Sequence, residues 1–217
     1  MDKTKGLRAL VIGATGATGL ELVGQLLETD AVESVTVFVR NGFPYSHPKL
    51  LVQQVDFEQP ELWAPLVVGE VAFSAMGTTL KAAGTKERQW KVDYDYQYNF
   101  AQSARANGIP NFVLVSAIGA DAQSGVFYSK MKGALEQAIR ALDFKKLTIF
   151  QPSLLIRPET DRKTEKTFEG LIQFLNRLGI AKKYRPITVA DLARKMIEHS
   201  LNADVGTRII TTKELFK

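Results

Sequence analysis

"LRALVIGATGATG", residues 7–19, decides the architecture. Leu7 to Ile12 is a short apolar, β-branched run that stops at a glycine, the pattern of a buried strand. Gly13, Gly16 and Gly19 follow at intervals of three, and from Thr18 onward Leu20, Val23, Leu26 and Leu27 recur at helical spacing. A glycine turn between a strand and an amphipathic helix brings bare backbone close to a ligand. It also leaves the unpaired N–H groups of the helix start facing an anion, which suits a pyrophosphate. Gly13, Thr15, Gly16, Ala17, Thr18 and Gly19 are therefore candidate cofactor-binding residues. The spacing is G-x-x-G-x-x-G, not the general G-x-G-x-x-G fingerprint, so the strand before it and the helix after it carry the reading.

Outward from this unit the same alternation continues. Strand patterns occur at 35–39, 50–56, 71–76, 111–117 and 147–151. Helical patterns fall at 87–106, closed by "NGIP" (107–110), and at 128–142, with Met131, Leu135, Ala138 and Leu142 as its apolar stripe. Strands that alternate with helices and read as continuous apolar runs predict an α/β fold: a doubly wound parallel sheet of Rossmann type, flanked by helices. After Pro152 the rhythm loosens into a polar stretch (157–167), a helix (168–178), a strand and helix within 184–201, and a last strand at 207–212. The expectation is one domain over 1–217, with 157–217 forming a small C-terminal cap on the substrate side.

In such a sheet the residue about 20 positions beyond the glycine turn, at the end of the second strand, reads the adenosine ribose. An acid there hydrogen-bonds a 2′-hydroxyl. Here Arg40 stands in "FVRN", and no acidic residue lies between Val35 and Gly42. Arginine pairs with a 2′-phosphate, so NADP(H) is expected over NAD(H). Asp56 and Phe57, after the third strand, are placed to flank an adenine ring. Ala75, Met76 and Gly77 close the fourth strand on the same edge.

Tyr-x-x-x-Lys occurs twice. Tyr45 to Lys49 contains Pro48 and lies among glycine and proline, so its two side chains share no helix face. Tyr128 and Lys132 open a helix, where i and i+4 share a face. A core aromatic beside a surface lysine would carry the same letters. The glycine turn upstream favours chemistry instead. An ammonium near a phenol lowers its pKa and fits it to exchange a proton with a carbonyl or alcohol oxygen, while the lysine also holds the nicotinamide ribose.

With "VIGATGATG", "AMGTT…AGTKE…VD" (75–93), "LVSAIGADAQS" (114–124), "FYSKMKGALEQAI" (127–139) and "QPSLL" (151–155), the chain resembles the atypical, short, epimerase-like branch of the short-chain dehydrogenase/reductase superfamily. The resemblance covers nearly the whole chain. It implies a Rossmann fold, NADP(H) binding, catalytic roles for Tyr128 and Lys132, and Pro152, Ser153, Leu154 and Leu155 along the nicotinamide side. It also implies a catalytic serine after the fifth strand, often the second of a pair. Here the pair is Ser116-Ala117, which leaves Ser116 as the candidate and one hydroxyl fewer.

Composition narrows the rest. The 217 residues include no cysteine, which excludes disulfides and thiolate chemistry, and the two histidines, His47 and His199, form no ligand cluster, so no metal is expected. The 28 basic and 23 acidic residues are scattered and read as solvated faces, and neither nucleic acid nor a membrane is expected as a partner. The charged N-terminus lacks a secretory h-region, and a cytoplasmic protein is expected. The leading reading is an NADP(H)-dependent oxidoreductase for a small-molecule carbonyl or alcohol. A cofactor-binding regulator with little turnover, suggested by Ala117, stands second, and a sugar-nucleotide epimerase third. A homodimer or protein partner is a further expectation, with 87–106 one candidate surface.

Overall fold

The computed structural model describes residues 6–157 and 185–216. Leu7–Ile12 (β1), Val32–Val39 (β2), Leu50–Gln54 (β3), Val71–Ser74 (β4), Asn111–Val115 (β5), Lys146–Gln151 (β6) and Gly206–Thr211 (β9) form one sheet in the order β3-β2-β1-β4-β5-β6-β9. Every neighbouring pair in it is parallel. The order reverses between β1 and β4, so the strand ends part at the glycine turn and leave a crevice there. Leu155–Ile156 (β7) and Ile187–Thr188 (β8) pair separately beyond β6.

Both faces of the inner strands β1, β2, β4, β5 and β6 are covered, which is why they read as nearly unbroken apolar runs, whereas the edge strands β3 and β9 are largely exposed. Ala9 and Val11 of β1 point to one side, packing with Leu22, Val23 and Leu26 of the helix Ala17–Leu27 (α1). Leu192, Ala193 and Met196 of Val189–Leu201 (α7) join the same layer. Leu10 and Ile12 point to the other side, toward Trp63 in the short helix Pro60–Trp63 (α2). There Phe100 and Ala104 of Tyr96–Ala106 (α5) and Leu135 and Ile139 of Phe127–Arg140 (α6) complete the second core.

The expected strand ends at 55–56, 75–76 and 116–117 lie outside the strands, and of these Ala75 and Met76 border the crevice. The expected helix over 87–106 is not uniform. Lys86–Trp90 (α4) passes into a π-helical turn, Lys91–Asp95, before α5 begins. One further short helix, Leu80–Ala83 (α3), precedes it, and Thr212–Leu215 (α8) follows β9. The expected strand and helix within 184–201 appear as β8 and α7, and 207–212 as β9. The polar stretch 157–167 and the helix expected at 168–178 lie, apart from Arg157, outside the described residues. No helix among the described residues is long and apolar enough to cross a membrane.

Candidate active site

The glycine turn is shaped by contact. Gly13 has φ +74°, and a Cβ there would fall 2.4 Å from the Met76 amide nitrogen at the end of β4. A Cβ on Gly19 would fall 2.1 Å from the Gly13 carbonyl oxygen. Only glycine lets the turn, α1 and β4 approach this closely. Gly16 is the N-cap of α1 and has no side chain to offer, so no side chain caps the helix. Its first N–H groups are left for a ligand.

A cavity of about 600 Å³ opens from this turn. Gly13, Thr15 and Gly16 line it, as do Ala75, Met76 and Gly77 after β4, and Arg40 and Phe57 at the far end. Arg40 is exposed at the end of β2, as its position in sequence requires. Ala17, Thr18 and Gly19 sit behind the turn in α1. Asp56 does not reach the cavity. Its carboxylate accepts from the Glu58 amide and from Gln59 Nε2, both at 2.9 Å, and these bonds hold it below its ordinary carboxylate range. Phe57 is 3 % exposed, stacked on Tyr96 with ring centroids 5.4 Å apart, and meets the cavity as part of an aromatic wall with Trp63.

Three residues of that end escaped the sequence. Glu58 accepts from the Tyr96 hydroxyl and pairs with Lys91. The Lys91 and Tyr96 bonds hold the Glu58 carboxyl low, while burial and then the Glu58 bond push the Tyr96 phenol up to about 12. All three line the cavity with Arg88. A helical face running through 88, 91 and 96 signals them only once the π-turn is known.

Tyr128 and Lys132 share one face of α6, with the Lys132 ammonium 6.0 Å from the Tyr128 ring centre. Tyr128 is 42 % exposed, whereas Lys132 is buried. Asp93, on the π-turn and also buried, explains how: its Oδ1 lies 3.0 Å from Lys132 Nζ, an ion pair without hydrogen-bond alignment. Its Oδ2 accepts the Thr78 amide at 2.7 Å. One carboxylate thus ties the loop after β4, which walls the cavity, to the helix bearing Tyr128. The second Tyr-x-x-x-Lys copy is a loop, with Lys49 donating to the Thr29 carbonyl.

Ser116 follows β5 and is buried. Its hydroxyl donates to Glu136 Oε1 at 2.5 Å. Glu136, also buried, takes further bonds from Gln151 Nε2 and from Arg140 at 2.7 Å. Pro152 is buried, Ser153 donates to the Arg185 carbonyl at 2.6 Å, Leu154 is exposed and Leu155 lies in β7. None of Ser116, Tyr128, Lys132 or Pro152–Leu155 lines the 600 Å³ cavity, so the candidate residues fall into two groups joined by Asp93.

A parallel sheet whose order reverses at a glycine turn, with a cavity opening from that turn, defines a Rossmann-type NAD(P)-binding protein. The chain belongs to the NAD(P)H-binding family, whose model matches residues 13–199. It is similar to "Protein FMP52, mitochondrial" of Eremothecium gossypii, 36% identical over 217 residues and 96% of each chain. It is also similar to "Protein FMP52-1, mitochondrial" of Scheffersomyces stipitis, 32% identical over 198 residues, 87% of this chain and 85% of that one. The fold matches that of MoeE5 in complex with UDP-glucose and NAD at a TM-score of 0.71, with 16% identity over 94% of this chain and 75% of that one. It matches UDP-glucose 4-epimerase of Thermotoga maritima at 0.69, with 15% identity over 96% and 80%. These relations bear out the resemblance to atypical short-chain dehydrogenases/reductases. They overturn the expectation of a cytoplasmic protein, because the curated relatives are named mitochondrial. The missing h-region spoke only to a secretory signal; mitochondrial transit is read from a different pattern.

Proposed function

We propose that the chain is an NADP(H)-dependent oxidoreductase acting on a carbonyl or alcohol of a small molecule. The observation that carries the reading is Arg40, exposed at the end of β2 on the cavity that begins at the glycine turn, where an acid would select NAD(H). The residues of this cavity fit a dinucleotide: bare backbone at the turn, uncapped N–H groups on α1 and cations at the far end. Gly13, Thr15, Gly16 and Arg40 would hold the cofactor there, and it would supply the hydride chemistry. Tyr128 passes its phenolic proton to the substrate oxygen during reduction and takes it back during oxidation. Lys132 stabilises the phenolate and holds the ribose, with Asp93 keeping the ammonium in place.

A second reading has its own observation. The Ser116 hydroxyl is committed to Glu136, and residue 117 is alanine, so neither offers a hydroxyl to a substrate oxygen after β5. That arrangement favours a cofactor-binding regulator with little turnover.

Fluorescence titration with NADPH and NADH tests the cofactor. Charge-assisted bonds of this kind are worth about 1.5–3 kcal/mol, so Arg40→Ala should weaken NADPH roughly tenfold or more and leave NADH nearly unchanged. Equal affinity of the unmodified protein for both cofactors would sink the preference. A carbonyl screen with Tyr128→Phe as control separates enzyme from regulator, and a large gain on Ala117→Ser would mark attenuated catalysis.

A further inference from the structure

Arg88 stands on α4, a different element from the glycine turn and from Arg40, yet lines the same cavity. The carboxylate on the cavity lining and the one that holds the loop after β4 are already engaged. Glu58 takes Lys91 and the Tyr96 hydroxyl, and Asp93 takes the Thr78 amide and Lys132. Glu87, its neighbour in sequence, is held low by its own backbone amide and the Thr85 hydroxyl at the start of α4. Arg88 itself is exposed and pairs with no carboxylate among the described residues. Its main chain is fixed, because the Arg88 amide donates to Thr85 Oγ1 at 3.2 Å. Ala82 and Ala83 line the same cavity with short apolar side chains.

The cavity lining holds three cations, Arg40, Arg88 and Lys91, against one carboxylate, Glu58. Lys91 and Glu58 cancel each other, so two guanidinium groups face the cavity without counter-charge. The turn and the start of α1 already offer N–H donors to a pyrophosphate. One arginine at the end of β2 accounts for a 2′-phosphate. The second has no role in that scheme, and a planar fork of N–H donors is suited to a phosphate.

We infer that Arg88 is a second phosphate-binding arginine of the dinucleotide cavity, closing on a phosphate group of the cofactor from the α4 side. The inference rests on the cofactor reading proposed above. It makes Arg88 a cofactor-binding residue and gives the segment between β4 and α5 a part in recognition.

The test is a parallel titration of the unmodified protein, Arg88→Ala, Arg88→Lys and Arg40→Ala with NADPH and NADH, the fold of each variant being checked by thermal melting. Arg88→Ala should weaken NADPH about tenfold, and Arg88→Lys, which keeps the charge but not the fork, should recover part of the loss. A loss confined to NADPH assigns Arg88 to the 2′-phosphate; an equal loss for both cofactors assigns it to the pyrophosphate. If Arg88→Ala binds both cofactors like the unmodified protein while Arg40→Ala still weakens NADPH, the inference fails and the cofactor reading stands. If the unmodified protein binds neither, both fail together.

Discussion

Ser116 shows how one hydrogen bond changes what a residue is for. A hydroxyl on a buried carboxylate is a structural donor, and Glu136 depends on it together with Gln151 and Arg140. Removing it leaves a buried oxygen one donor short, at a cost of about 1–3 kcal/mol. Ser116→Ala should therefore lower the thermal midpoint by several degrees, about 2–4 °C per kcal/mol for a chain of this size, while NADPH affinity changes little. A serine that worked on substrate alone would instead leave the melt unchanged and reduce turnover. Lys132 poses the related problem in a buried ammonium. Asp93 answers it, since an unpaired charge there would be far more costly than a paired one.

At the level of elements, α6 is placed by its neighbouring loop. Asp121 donates its amide to the Ser129 carbonyl at 3.0 Å, and the loop lies so close that a Cβ on Gly133 would fall 2.2 Å from the Ala122 nitrogen and 2.3 Å from the Asp121 carbonyl carbon. The obstructing atoms are backbone, so they do not yield as a side-chain end would. Gly133→Ala gains about 1 kcal/mol of helix propensity, yet the overlap costs about 1–3 kcal/mol or more, and net destabilisation is expected. Hydrogen exchange should quicken over residues 117–125 and α6 and stay unchanged at the glycine turn. Protection unaltered in that loop would refute the close-packing account. The spacing of Tyr128 and Lys132 was legible because helical period alone puts them on one face. Asp93 was not, because its pairing with Lys132 is long-range and its direction depends on a π-turn inside an apparently regular helix. Such turns are frequent at functional sites. Arg40 was legible from distance along the chain, whereas Glu58 reaches Lys91 only through tertiary packing, which also brings Arg88 to the same cavity.

For the molecule as a whole, unbroken apolar strands announced a sheet covered on both faces, and two cores meet that requirement. Local pattern did not reveal that β9 adds beside β6 and brings α7 across the face shared with α1. That closure half-buries His199 near the end of α7, with its ring edge-on to Phe150 of β6. Burial, then the nearby charges of Arg208 and Lys195, hold His199 below its ordinary value of 6.5, with Lys146 acting in the same direction and Glu198 against it. Unfolding releases the ring to take a proton at pH values where the folded chain leaves it neutral. The stability this provides is complete above about pH 6.5 and declines as the pH falls from there toward the folded value. The thermal midpoint should thus drop between pH 7 and pH 5, and His199→Gln, which cannot titrate, should flatten that part of the profile. A variant that keeps the full slope would refute this assignment, since the carboxylates held low at Glu58 and Asp191 lose their stabilisation only on acidification below their ordinary range, under about pH 5.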